Sequence, residues 1–224
     1  MDATSVDVIR RILISALPIL IAITFHEVSH GYVAYKLGDP TAKMMGRLTL
    51  NPIAHIDIFG TILLPFILVI ATNGQFVFGY AKPVPINPMN FKNQRQGMAL
   101  SAAAGPVTNL VLAFFCFMIL KLVITPLAAV FPGAVTETVI RPVAMIFTSG
   151  IIINVVLATF NMIPIPPLDG GRVLAGLLPS KQAESLSRIE PFGFIIVIVL
   201  IYSGIANNLI MPVINLFLRL FQVY

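Results

Sequence analysis

The feature that most limits how this chain can fold is a set of apolar runs long enough to cross a lipid bilayer. A bilayer's hydrocarbon core takes roughly 20 residues of helix. The runs from Val8 to Leu37, Met98 to Ala129 and Val139 to Met162 all reach that length. Three others are shorter or interrupted: Ile58 to Thr72, which contains Pro65; Phe192 to Tyr202; and Ile205 to Phe221, where Asn207, Asn208 and Pro212 read as a helix break. Composition agrees with membrane residence. Of 224 residues, 58% are hydrophobic and 10% charged, and the mean hydropathy is +0.95. A soluble domain of this size carries more charge, and its helices keep a polar face. The expectation is an all-α polytopic membrane protein, a bundle of about 4–6 transmembrane helices with a re-entrant hairpin. It forms a single domain over 1–224, with a core over residues 8–180 and C-terminal helices over 190–222.

Several classes are disfavoured. The single cysteine, Cys116, excludes an internal disulfide and reads as a packing residue in an apolar run. The net charge of +5 is not gathered into a basic block, so it points to membrane orientation rather than to nucleic acid. The first apolar run lacks a clear signal-peptidase signature and stays in the mature protein.

The strongest chemical signal is His26-Glu27-Val28-Ser29-His30 at the far end of the first run. On a helix, positions i and i+4 share a face, so both imidazoles can reach one metal ion. Glu27, beside that face, can take a proton from a metal-bound water. Two histidines and a glutamate are costly to hold in lipid without a task. The competing reading is a polar cluster that binds helices together. A catalytic zinc also needs a third protein ligand. The candidates are His55 and the carboxylates of Asp39, Asp57, Glu137, Asp169 and Glu184. Asp169 stands out, because it directly follows a span in a stretch broken by Pro164, Pro166 and Pro167 and loosened by Gly170 and Gly171. Irregular backbone at membrane depth is tolerated only where it lines a cavity or is buried in protein. A plain helix end followed by a turn is the alternative.

HEVSH together with Asn161-Met-Ile-Pro-Ile-Pro-Pro-Leu-Asp169-Gly-Gly resembles the site-2 protease family of intramembrane zinc metalloproteases. Ala104-Gly-Pro-Val-Thr-Asn109 resembles that family's glycine-proline-asparagine stretch. Gly79-Tyr-Ala-Lys-Pro-Val-Pro-Ile-Asn-Pro88 is similar to a loop of its short, PDZ-less prokaryotic branch, with tyrosine in place of tryptophan. The resemblance covers residues 20–180. It implies one Zn²⁺ per chain held by His26, His30 and Asp169, with Glu27 as general base. It also implies that Asn161 helps hold the substrate or the oxyanion, a role that Asn109 is weighed for too. The substrate it implies is a transmembrane protein, and the source a prokaryotic cell membrane. No PDZ-like insertion is present and the loops are short, so regulation is expected from a membrane partner.

Topology can be argued from the ligands. His26 and Asp169 each lie near the far end of their runs, so they meet only if the first and the 139–162 runs are parallel. The 98–129 run joins the latter through a short loop and must be antiparallel to both. The chain therefore leaves the first run and enters the third on one side, and 56–90 is expected to dip into the membrane and return. In that scheme Ile58–Thr72 is a short half-span and Gln75–Pro88 an extended re-entrant hairpin. One side then carries Lys36, Lys43, Arg47, Lys82, Lys92, Arg95, Arg172, Lys181 and Arg188, against Arg10, Arg11 and Arg141 on the other. Excess Lys and Arg marks the cytoplasm. The N-terminus is expected outside, with the metal nearer the cytoplasmic face.

Four further readings remain open. His55 is either a group near the site or an ordinary loop histidine. Phe76, Phe78 and Tyr80 alternate as one strand face does, and an exposed strand edge can capture an unwound substrate. Asn109 and Asn154 lie within spans and can bond neighbouring helices. A membrane metal transporter also explains buried His and Asp ligands, but it leaves Glu27 without a task.

Overall fold

The computed structural model describes residues 3–71 and 79–223. Helix α1 (Ala3–Lys36) carries the first apolar run, with its candidate span at Ile14–Lys36. Helix α2 (Ile58–Ala71) is a π-helical turn of six residues continued by eight α-helical ones. Helix α3 (Gln94–Val130) and helix α4 (Gly133–Asn161) follow, each with a π-helical stretch, at Leu120–Ile124 and Thr136–Ile140. Helices α5 (Asp169–Leu177), α6 (Ser180–Ser187), α7 (Glu190–Tyr202) and α8 (Ile205–Leu220) complete the chain. Among the described residues there is no strand, and α1, α3 and α4 are long and apolar enough to cross a membrane. The structure is thus an all-α membrane bundle. Pro18 and Pro106 sit inside the spans, a placement that transmembrane helices tolerate. Large side chains such as Leu17, Ile21, Val111, Phe114 and Phe115 stay exposed on the outer faces, as lipid contact requires.

Side-chain register fixes the relative directions. From Ala22 to His30 along α1, the partners on α3 run backwards: Asn109 meets the Ala22 carbonyl and His26, while Ser101 meets His30. From Asn109 to Cys116 along α3, the partners on α4 run from Asn154 back to Gly150. So α3 is antiparallel to both α1 and α4, and α1 and α4 are parallel, as the ligand argument expects. At about 1.5 Å per residue, α2 reaches at most about 21 Å, short of a hydrocarbon core of about 30 Å. Asp57 starts α2 by accepting a hydrogen bond from the Gly60 N–H, and Asn93 starts α3 by accepting one from Gln96. Of the expected hairpin Gln75–Pro88, residues 75–78 lie outside the described part; 79–87 is extended and irregular.

The helix break expected at Asn207 and Asn208 lies instead at Ser203–Gly204. Gly204 takes the left-handed conformation, with φ +76°, and nothing crowds it. Asn207 and Asn208 fall at the start of α8, and the Asn208 N–H bonds back to the Gly204 carbonyl, so the helix runs through both positions. Pro212 is accommodated within α8. That helix packs on α3 and α4 through a core of Ala113, Ile151, Val155, Ile214, Leu218 and Phe221.

Candidate metal centre

Helix α1 presents His26 and His30 one turn apart, with ring centroids 4.6 Å apart and planes crossed at 87°. Asp169 reaches them from the first residue of α5. The link from α4 to α5 is a tight irregular loop, and the glycines after Asp169 let it close. A Cβ on Gly170 would run into the Met162 carbonyl, and one on Gly171 into the backbone at Ile165 and Pro166. Gly193 of α7 gives the Pro166 carbonyl the same room from the other side. The broken stretch therefore places the carboxylate deliberately, with Asp169 Oδ2 3.2 Å from His26 Nε2 and 3.3 Å from His30 Nε2.

Which ring nitrogen carries the proton follows from what lies behind each ring. His30 Nδ1 faces the Ser101 main-chain carbonyl at 2.7 Å, and a carbonyl only accepts, so Nδ1–H donates. His26 Nδ1 faces Asn109 Oδ1 at 2.5 Å and donates likewise. As neutral imidazoles, the form in which histidine binds a metal, both would turn Nε2 lone pairs toward the Asp169 carboxylate, whose buried Oδ2 has no hydrogen-bond partner. The three candidate ligand atoms converge in residues 7%, 7% and 8% exposed. A cation resolves that arrangement. Ligands about 2.0–2.1 Å from a tetrahedral zinc stand about 3.3 Å apart, which matches the two histidine–aspartate distances. The donor set and spacing fit zinc. Gly105 on α3 completes the cradle, because a Cβ there would come within 3.0 Å of His30 Nε2 and His26 Cε1.

Among the described residues, this trio is the one grouping of three or more metal-ligating side chains. The other weighed groups are committed elsewhere. Asp57 caps α2, Glu137 pairs with Arg141, and Glu184 pairs with Arg188. Asp39 is fully buried and accepts hydrogen bonds from the Thr41 N–H and hydroxyl, the Asn87 N–H and the Asn90 amide. Burial pushes its carboxyl pKa up, but these donors outweigh that and hold it below the usual carboxylate range. His55 is also buried, donating from Nε2 to the Thr49 carbonyl while its own carbonyl accepts from the Lys82 N–H.

Glu27, next to the trio, accepts a hydrogen bond from the Val84 N–H at 2.9 Å. The extended segment 79–87 is thereby laid along α1. Val84 itself packs where Gly31 has no side chain, and Arg47 holds the Lys82 carbonyl. Tyr80, 43% exposed, donates its N–H to Gly60 and lays its ring over that glycine. The inward N–H groups of Tyr80, Lys82 and Val84 are thus used, and Pro83 and Pro85 have none. Phe78 lies outside the described residues. Asn161 is half-buried and donates its amide to the Leu157 carbonyl. Asn109 is fully buried behind His26. A cavity of about 480 Å³ opens beside this region, lined by Val84, Met98, Arg95, Arg172, Glu184 and Glu190.

Sequence reasoning left the part played by Asn109 undecided and missed Ser101 as a partner of His30. The Ser101 contact is through a main-chain carbonyl, which no residue type announces.

The profile of peptidase family M50 matches residues 14–203. YwhC of Bacillus subtilis (strain 168), named as a candidate zinc metalloprotease, is 41% identical over 201 residues, covering 88% of this chain and 84% of that protein. Rip2 of Mycolicibacterium smegmatis, named in the same way, is 29% identical over 193 residues, covering 84% of this chain and 66% of the relative. MJ0611 of Methanocaldococcus jannaschii, again so named, is 37% identical over 76 residues, a third of each chain. No solved structure matches. With a family profile covering most of its length and a metal-ready trio at its centre, this chain belongs to peptidase family M50.

Proposed function

We propose that this membrane protein is a zinc metalloprotease that hydrolyses peptide bonds within or near transmembrane segments of other membrane proteins. The observation that carries the reading is the convergence of His26 Nε2, His30 Nε2 and Asp169 Oδ2 next to Glu27, a carboxylate outside that trio. Zinc on these three ligands supplies Lewis-acid activation of water and of the scissile carbonyl. Glu27 takes the proton of the attacking water and passes it to the leaving amine. The Val84 N–H holds one oxygen of the Glu27 carboxylate in place. Asn161, at the end of α4, is the nearest match to a substrate or oxyanion contact. Asn109 acts through His26.

A transmembrane helix hides its carbonyls in its own hydrogen bonds, so the substrate unwinds before cleavage. Pro83 and Pro85 have no N–H to donate, so strand-type capture falls before Pro83, in the half of the segment that includes Tyr80. The cavity at Val84 and Arg172 offers water a route toward the site. Lys36, Arg47, Lys82, Arg95 and Arg172 all lie at the same end of the bundle as the ligands. By charge bias, that end is cytoplasmic and the N-terminus is outside. The prokaryotic relatives support a prokaryotic cell membrane as its place.

Replacing Glu27 with Gln in protein reconstituted with a transmembrane reporter tests the role. The proposal expects retained zinc and cleavage slowed by at least about 100-fold. Unchanged cleavage contradicts it. Zinc flux into vesicles that survives Glu27→Gln and disappears with His26→Ala would favour a transporter instead.

A further inference from the structure

The metal ligand His26 sits at the end of a chain of amides whose polarity is set one helix away. On α4, the Gly150 carbonyl can only accept a hydrogen bond. Asn154 Nδ2 donates to it at 2.8 Å, which turns Asn154 Oδ1 the other way, toward α3. There it accepts from Asn109 Nδ2 at 2.7 Å. The same Nδ2 also donates to the Ala22 carbonyl at 3.3 Å, so both its hydrogens are committed. Asn109 Oδ1 is then the atom left to face His26, and it accepts from Nδ1–H. Each link is buried: Asn109 is 0% and Asn154 2% exposed. Burial shields the amides from bulk solvent, and a reversed amide would set donor against donor.

We infer that Asn154, which touches neither metal nor substrate, is a positioning residue that fixes the His26 tautomer through Asn109. The inference rests on the metal reading of the His26–His30–Asp169 trio. With Asn109 oriented, His26 is held as the Nδ1–H tautomer and offers its Nε2 lone pair to zinc. With the Asn154 acceptor gone, the Asn109 amide loses one of the two partners that orient it. Its reversed form then presents an NH₂ to Nδ1 and favours the tautomer that puts a hydrogen where zinc must bind. His30 needs no such relay, because the Ser101 carbonyl behind it has fixed polarity. Partners behind a metal-bound histidine typically change metal affinity by about 10–100-fold.

A double-mutant cycle read by zinc affinity, from competition with a chromophoric chelator on purified full-length protein, tests this. Asn154→Leu is expected to weaken zinc binding by about 10-fold or more. In an Asn109→Asp background the same substitution is expected to cost less than about 3-fold, because a carboxylate accepts from His26 whichever way it turns. If Asn154→Leu does not give monodisperse protein, Asn154→Ala removes the acceptor without added bulk and carries the same expectation. An equal loss in both backgrounds, or none in either, overturns the relay and shows Asn154 to be a packing residue. Wild-type protein that takes up no zinc contradicts the metal reading itself, a result distinct from either.

Discussion

The Val84 N–H donates to the Glu27 carboxylate across 57 residues of sequence, tying an extended segment to the helix that carries His26 and His30. Pro83 and Pro85 flank it, so Val84 is the donor at that spot. A hydrogen bond to a charged group contributes about 1.5–3 kcal/mol. Val84→Pro removes the N–H and is expected to slow cleavage by about tenfold or more, with zinc content unchanged. Parallel measurement of turnover and bound zinc checks this; loss of zinc along with activity would instead mean that the segment holds the ligands.

The same segment is fixed at its far end by Asp39. Its folded pKa is depressed, so the sign is that of a carboxylate stabilised in its charged form. Its contribution is fully present above the unfolded value of about 3.9 and is lost as pH falls through the folded one. Thermal unfolding in detergent should show the wild type losing stability below about pH 4, and Asp39→Asn losing less over that range. At neutral pH, Asp39→Ala leaves buried donors on Thr41, Asn87 and Asn90 and should cost on the order of 2 kcal/mol. Superimposable pH curves for Asp39→Asn and wild type would contradict this role.

Gly105 gives a steric test. A methyl group there collides with both imidazoles, while one on Gly133 meets nothing within 4 Å. Gly105→Ala is expected to weaken zinc binding by at least about tenfold, and Gly133→Ala to leave it unchanged. Equal affinity in the two variants would contradict the role of Gly105 in the cradle.

Much of this is legible in the sequence alone. The three spans show because lipid demands unbroken apolar length, and HEVSH shows because helical spacing puts His26 and His30 on one face. Asp169 was legible from the prolines and glycines that break the chain around it, and the parallel course of α1 and α4 followed from requiring the ligands to meet. Helix ends were less legible. α4 begins at Gly133 rather than Val139, and α3 at Gln94 rather than Met98, because a helix continues past its apolar stretch wherever water or caps satisfy its backbone. Asn207 and Asn208 looked like a break, but Gly204, one turn earlier, makes it, since only its conformation decides. Asp39 was weighed as a ligand and proved to be a staple, a distinction that depends on Asn87 and Asn90 arriving from far along the chain. The support behind the histidines was least visible, being split between a main-chain carbonyl and two asparagines on different helices.

The account stands on three side chains closing around one zinc ion. Elemental analysis of the purified protein, wild type beside His26→Ala and Asp169→Ala, measures this directly. The expected result is about one zinc per wild-type chain and a loss of at least tenfold in affinity in each variant. Wild-type protein without zinc, or Asp169→Ala protein that binds it as tightly as wild type, would contradict the account.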